Sequence, residues 1–170
     1  TQLLIWLTRN ADSLDTEIPY YTDVINEIAK QPVRDFLDNK DYSLGVNTPH
    51  VVLNYLDFLL WKRNRNVDFD FEFRNSVEHW YPRNPSEGTF ARWEDGVDRF
   101  GNLCLIQRNI NSRFSNMSPE AKKSTFKEMI EKGSLKLRIM SDLTQGANAS
   151  QQWKESVFAQ HEEDMLDILR

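Results

Sequence analysis

The chain has 170 residues, 39% of them hydrophobic and 12% aromatic, with only six Gly and six Pro, so it has material for one sizeable core and no stretch polar enough to stay unfolded. A net charge of −5 argues against a uniformly basic nucleic-acid binder, whose footprint neutralises phosphates. The single cysteine, Cys104 in the run Leu103-Cys104-Leu105-Ile106, excludes an intrachain disulfide framework or a thiolate zinc site and reads as a small buried hydrophobe.

The opening Thr1 to Arg9 has no basic region leading into a long apolar segment, and no apolar run nears the roughly 18 residues a membrane span requires. A soluble, cytoplasmic protein is expected, with no membrane partner. The absent initiator Met and the already apolar opening suggest a segment of a longer protein. Charge is segregated along the chain: from Arg74 to Arg138 twelve Lys or Arg stand against eight Asp or Glu, a balance of +4 that leaves −9 for the remainder.

Residues 1–68 read as a helical scaffold. Tyr21, Val24, Ile25, Ile28 and Ala29 follow helical spacing, and Thr48-Pro49 opens a second helix reaching Trp61 that is apolar on nearly every face and therefore central to the core. The period then changes. Phe69, Phe71 and Phe73 alternate with Asp70 and Glu72, which predicts a strand, and a short strand follows over Val77 to Trp80.

Pro82, Pro85 and Gly88 break the chain into a loop running to about Phe100, with Trp93 as its packing anchor. Gly101 to Gln107 predicts another strand, entered through a glycine. Arg108 to Asn116 reads as a polar turn, and Ser118-Pro119-Glu120 starts a helix of about fourteen residues. A last helix from about Ser150 carries Trp153, Val157, Phe158, His161, Met165, Ile168 and Leu169 on one broad face. The expected class is α+β, mostly helical, divided into a scaffold at 1–68, a strand-bearing core at 69–132 and a helical region at 133–170 that packs on it.

Strand, loop, strand, polar turn and helix within the middle segment is the order of a ββα nuclease site. Phosphodiester cleavage needs a base to activate water and a divalent cation to stabilise negative charge on phosphorus and the leaving oxygen. Histidine suits the base, with an unperturbed pKa of about 6.5. A hard cation such as Mg²⁺ takes one or two oxygen ligands from the protein, which Glu78 and Asn111 are able to supply.

The motif Val77-Glu78-His79-Trp80-Tyr81-Pro82, followed by Trp93, Gly101-Asn102-Leu103-Cys104-Leu105-Ile106, Asn109-Ile110-Asn111-Ser112-Arg113-Phe114-Ser115-Asn116 and Lys122-Lys123, resembles the HNH (ββα-metal) nuclease superfamily. It is closest there to the C-terminal HxxP-type domain of GmrSD-like restriction and phage-defence enzymes. The resemblance covers roughly residues 70–170 and implies roles position by position. His79 corresponds to the general base and Asn102 to the residue that holds the inter-strand loop and orients the base. Glu78 and Asn111 correspond to ligands of a divalent metal ion, Mg²⁺ or Mn²⁺. The last position is Asn where many relatives carry His, and His161 stands where related sequences often carry Arg.

The implied function is a metal-dependent DNA endonuclease, the effector of a restriction system whose NTP-using sensor domain lies elsewhere in the full-length protein. Arg108, Arg113, Lys122 and Lys123 are the expected phosphate contacts, since they flank Asn111 in sequence. The alternatives are a degenerate HNH-like module that binds DNA or a partner without cleaving, a structural helical adaptor, and a nuclease directed at RNA.

Overall fold

A computed structural model describes residues 18–86, 90–146 and 148–170; the Thr1 to Arg9 opening and Gly88 lie outside the described residues. Helix α1 (Ile18–Asn39) buries Ile25, Ala29, Val33 and Phe36, a stripe at spacings of four, four and three. Ile28, expected on that stripe, is 59% exposed. A 3₁₀ turn (Gly45–Asn47) leads into α2 (His50–Arg63). That helix packs against α1, the sheet and the C-terminal helices, which is why its sequence is apolar on several faces. Among the described residues no helix is long and apolar enough to cross a membrane.

The alternating phenylalanines do not form the expected strand. Among the described residues, 69–75 have no ladder partners, and Phe69 and Phe71 fold against Phe58 on α2 as an edge-on aromatic pair with centroids 4.8 Å apart. Phe73 is 57% exposed, while Arg74 turns inward and donates to the carbonyls of Asp70 (3.2 Å) and Lys132 (2.9 Å). The alternation thus records ring packing on a helix rather than sheet pairing.

Strand β1 (Ser76–His79) pairs antiparallel with β2 (Leu103–Ile106) in the register Ser76↔Ile106, Val77↔Leu105, Glu78↔Cys104 and His79↔Leu103. Period-two alternation divides the ribbon. Val77, Leu103 and Leu105 face one core, with α1, α2 and the last helix. Cys104 and Ile106 face a second, with Trp80, Phe114, Phe126, Met140 and Trp153. Covered on both faces, the ribbon is far more apolar than a surface hairpin.

Beyond β2 the expected polar turn is a helix, α3 (Arg108–Phe114), which ends by burying Phe114. The helix expected from Ser118 is two: α4 (Pro119–Thr125), capped by Ser118 Oγ accepting from the Ala121 N–H, and α5 (Lys127–Glu131). The break falls at Phe126, whose φ of −121° lets its ring pack on Phe114 at 5.1 Å. Helix α6 (Leu135–Leu143) is capped by Ser134 and also by the buried carboxylate of Asp57, which crosses from α2 to accept from the Lys136 N–H at 3.1 Å.

The C-terminal helix begins as α7 (Ala149–Gln152), widens into a π turn (Trp153–Val157) and continues as α8 (Phe158–Leu169). Trp153 and Phe158, five residues apart, both reach the second core because the π turn inserts one extra residue there. The α-helical spacing then resumes with His161, Glu162, Met165, Leu166 and Leu169 buried.

Two buried lysines tie the ribbon to these helices. Lys122 of α4, fully shielded from solvent, donates to Glu78 Oε1 (2.7 Å) and to the carbonyls of His79 (2.7 Å) and Trp80 (3.0 Å), closing the end of β1. Lys136 of α6 donates to the carbonyls of Phe100 (2.8 Å), Gly101 (3.3 Å) and Leu103 (2.6 Å), closing the start of β2. Burial lowers the Lys136 ammonium to a pKa of about 8 and raises Asp57 to about 6.

Removing Lys122 strands the Glu78 carboxylate in the interior, so Lys122→Ala is expected to destabilise the fold by about 3–5 kcal/mol. Replacing both partners with apolar side chains of similar volume, Lys122→Met with Glu78→Leu, should recover much of that loss, as read by urea unfolding.

His161 offers a pH signature. Burial, with a lesser contribution from Lys136, holds its pKa well below 6.5, and its Nε2 has no hydrogen-bond partner among the described residues. In acid the unfolded chain therefore binds a proton that the folded chain refuses, and stability falls as pH drops below about 6.5. Wild type should lose up to about 1.4 kcal/mol per pH unit relative to His161→Phe between pH 6.5 and 5; parallel stability curves for the two proteins would rule out a buried neutral imidazole.

Candidate active site

His79 ends β1, and its side chain emerges at the rim of the ribbon with 11% of its surface exposed. Nε2 lies 2.7 Å from Oδ1 of Asp98, and the other oxygen of that carboxylate receives Arg83 Nη2 at 2.9 Å. Burial lowers the imidazole pKa, while Asp98 works in the opposite direction and Arg83 and Lys122 add to the lowering. The net effect favours neutral imidazole near neutral pH, the form able to accept a proton.

Asp98 sits against the turn that precedes α2. Its carbonyl accepts from the Gly45 N–H at 2.9 Å, and a Cβ added to Gly45, which has φ of +53°, would stand 2.6 Å from Asp98 Oδ1. Only glycine combines that backbone conformation with that lack of bulk.

Asn102 fills the turn before β2 and is wholly buried. Its Nδ2 donates to the carbonyls of Tyr81 (2.9 Å) and Val97 (2.8 Å), and its Oδ1 accepts from the Tyr81 N–H (2.8 Å) and the Trp153 indole (3.0 Å). One amide therefore fixes the segment leaving β1, the segment carrying Asp98 and the C-terminal helix.

Glu78 and Asn111 both lie on the ribbon face opposite His79. The Asn111 amide donates to Ser76 Oγ at 2.5 Å, near the start of β1, about 10 Å along the strand from His79. Glu78 is buried against the Lys122 ammonium; burial pushes its carboxyl pKa up, only partly offset by that lysine. Glu78 does not fit a divalent cation as arranged, because a protein cation already satisfies its carboxylate, and Asn111, whose NH₂ is engaged with a hydroxyl, has only its amide oxygen to offer. Among the described residues no three His, Cys, Asp or Glu side chains gather as a metal-binding cluster.

The basic residues separate likewise. Arg108 and Arg113 are exposed on α3, the latter with its guanidinium over the Phe126 ring. Lys122 is turned inward with nothing at the surface, and Lys123 donates to the Ser141 and Thr144 carbonyls at 2.7 Å each, capping the end of α6. Cys104 is buried, and desolvation drives its thiol pKa far up, as the apolar run predicts. The residues that sequence reading missed are Asp98, Arg83 and Gly45. Asp98 lies 19 residues from His79, and only the fold of the intervening loop returns it to the strand end.

No match was found among curated proteins or among solved structures. Comparison with protein families matches residues 30–168 to "GmrSD restriction endonucleases, C-terminal domain". That span takes in most of the first core, the second core, the ribbon, the Asn102 cross-link and the His79–Asp98–Arg83 rim, and the chain accordingly belongs to the family of GmrSD restriction endonuclease C-terminal domains.

Proposed function

We propose that this domain is the nuclease part of a restriction enzyme and hydrolyses DNA phosphodiester bonds, with His79 as the general base. The observation that carries the reading is a neutral-favouring imidazole at a strand end, with one ring nitrogen paired to a carboxylate, inside a chain of this family. His79 withdraws a proton from the attacking water. Asn102 holds the segment that follows that histidine and the segment that carries Asp98, and the exposed part of Arg83 stands beside them as a phosphate contact. The domain acts as effector for an NTP-using sensor elsewhere in the full-length protein, and foreign DNA is the substrate class.

Divalent-cation dependence, with Mg²⁺ or Mn²⁺, is part of the proposal; such an ion would stabilise charge on the phosphate. Its assignment to Glu78 and Asn111 requires the Lys122 ammonium to leave the carboxylate. The Glu78–Lys122 pair is also the observation that favours the second reading, a module that binds DNA without cutting it.

Supercoiled plasmid incubated with the protein and Mg²⁺ or Mn²⁺, with and without chelator, separates the two. Cleavage is expected with metal, and His79→Ala should lower it on the order of 10²- to 10⁴-fold with little change in DNA affinity. Binding without nicking by the wild type would leave the second reading, and activity within tenfold of wild type for His79→Ala would remove His79 as base.

DNA affinity should fall steeply with salt. Arg108 and Arg113 are the exposed basic side chains of α3, and each neutralised phosphate contributes roughly −0.9 to the slope of log K against log salt. Arg108→Glu with Arg113→Glu should flatten the slope by about one to two units on every duplex tested. An unchanged slope would place the DNA on another face.

A further inference from the structure

The Asp98 carboxylate is shared between two partners, and the turn around it is shaped to keep it there. Oδ1 meets His79 Nε2 at 2.7 Å and Oδ2 meets Arg83 at 2.9 Å, while the Gly45 N–H binds the Asp98 carbonyl at 2.9 Å. A side chain at Gly45 would collide with Oδ1. From the other side, the Val97 carbonyl is held by Asn102. The carboxylate is thus located by its own backbone, by its neighbour's backbone and by a cation. Nδ1 of His79 makes no hydrogen bond among the described residues.

We propose that Asp98 is the positioning residue of His79: it receives the Nε2 proton, so that Nδ1 is the nitrogen that takes a proton from water at the scissile phosphate. The proposal rests on the nuclease reading for its catalytic consequence, though not for the tautomer itself. In the reaction, one O–H bond of water breaks and its proton goes to Nδ1. The water oxygen forms the new P–O bond, the ester P–O bond breaks, and its electron pair leaves on the ester oxygen, which takes a proton from solvent. The imidazolium left behind keeps its Nε2–H on Asp98, whose negative charge stabilises it.

Arg83 makes the tautomer testable. In Asp98→Asn the guanidinium still demands an oxygen, so the amide oxygen turns to Arg83 and the NH₂ turns to His79. Nε2 must then accept, and the ring proton moves to Nδ1. Removing the guanidinium as well frees the amide to rotate and present its oxygen to Nε2 again.

The experiment is ¹⁵N NMR of the full chain with labelled histidine; the three imidazoles belong to His50, His79 and His161, and His79→Gln identifies the signal in question. Wild type should show protonated Nε2 and unprotonated Nδ1. Asp98→Asn should reverse the two, and Asp98→Asn with Arg83→Ala should return toward the wild-type pattern. With plasmid as substrate, Asp98→Asn should lower kcat on the order of 10²- to 10⁴-fold with KM nearly unchanged.

A wild-type His79 protonated at Nδ1 would overturn the proposal, as would an Asp98→Asn variant with unaltered tautomer and kcat. So would an Asp98→Asn variant that loses calorimetric Mn²⁺ binding while its tautomer stays unaltered, since Asp98 would then be a metal ligand. If the wild type cuts no DNA, the nuclease reading fails by itself, and the NMR signals still decide whether Asp98 sets the tautomer.

Discussion

The Asn102 amide is the constraint on which the rest of the site depends. Four hydrogen bonds, two given and two received, join Tyr81, Val97 and the Trp153 indole to the turn that opens β2. A ribbon of four residues per strand is marginal by itself, and a buried amide of this kind is costly unless every donor and acceptor is matched. Here every one is. The segments joined are those that carry His79 and Asp98, so the geometry of the imidazole inherits its definition from an amide whose hydrogen bonds go to neither of them.

The lysine clamps extend the same logic to the ends of the ribbon. Lys122 gathers one carboxylate oxygen and two carbonyls at the end of β1, and Lys136 gathers three carbonyls at the start of β2. A charge without solvent is unfavourable, and these two are tolerated because each ammonium finds three acceptors, two carbonyls and the Glu78 carboxylate for Lys122 and three carbonyls for Lys136. The clamps also draw α4 and α6 onto the sheet, which explains how α4, with few apolar residues of its own, is fixed against the second core. Arg99 with Glu162, whose carboxylate also accepts from the Gly101 N–H at 2.9 Å, performs a related task on the last helix. Gly101 is needed there because a Cβ would stand 2.9 Å from the Phe158 carbonyl oxygen.

Strand alternation shapes the chemistry available. Glu78 and His79 are adjacent in sequence and point to opposite faces, so proximity along the chain does not place them around one substrate atom. The carboxylate that reaches the imidazole comes instead from the long loop, and it brings an arginine with it. The imidazole and an exposed guanidinium thereby share one carboxylate at the rim of the ribbon, whereas Glu78 serves the interior.

The amino-acid sequence alone determined the class of fold, the two short strands, the helices before them and the last helix, the buried Cys104 and the Trp93 anchor. It did so because burial patterns and turn residues act over short ranges. It also pointed to His79 and Asn102 through a motif whose spacing follows the ribbon. Tertiary structure alone decided the partners. The phenylalanine alternation became ring packing because no strand lay beside it among the described residues, and one expected helix broke at Phe126 because that ring had a place on Phe114. Lys122 was withdrawn from the surface because Glu78 was buried within its reach. Asp98 was selected for His79 because a left-handed glycine in a different segment left room for its carboxylate. Each of these depends on what stands opposite a residue across tens of positions of chain, and local pattern holds no information about that.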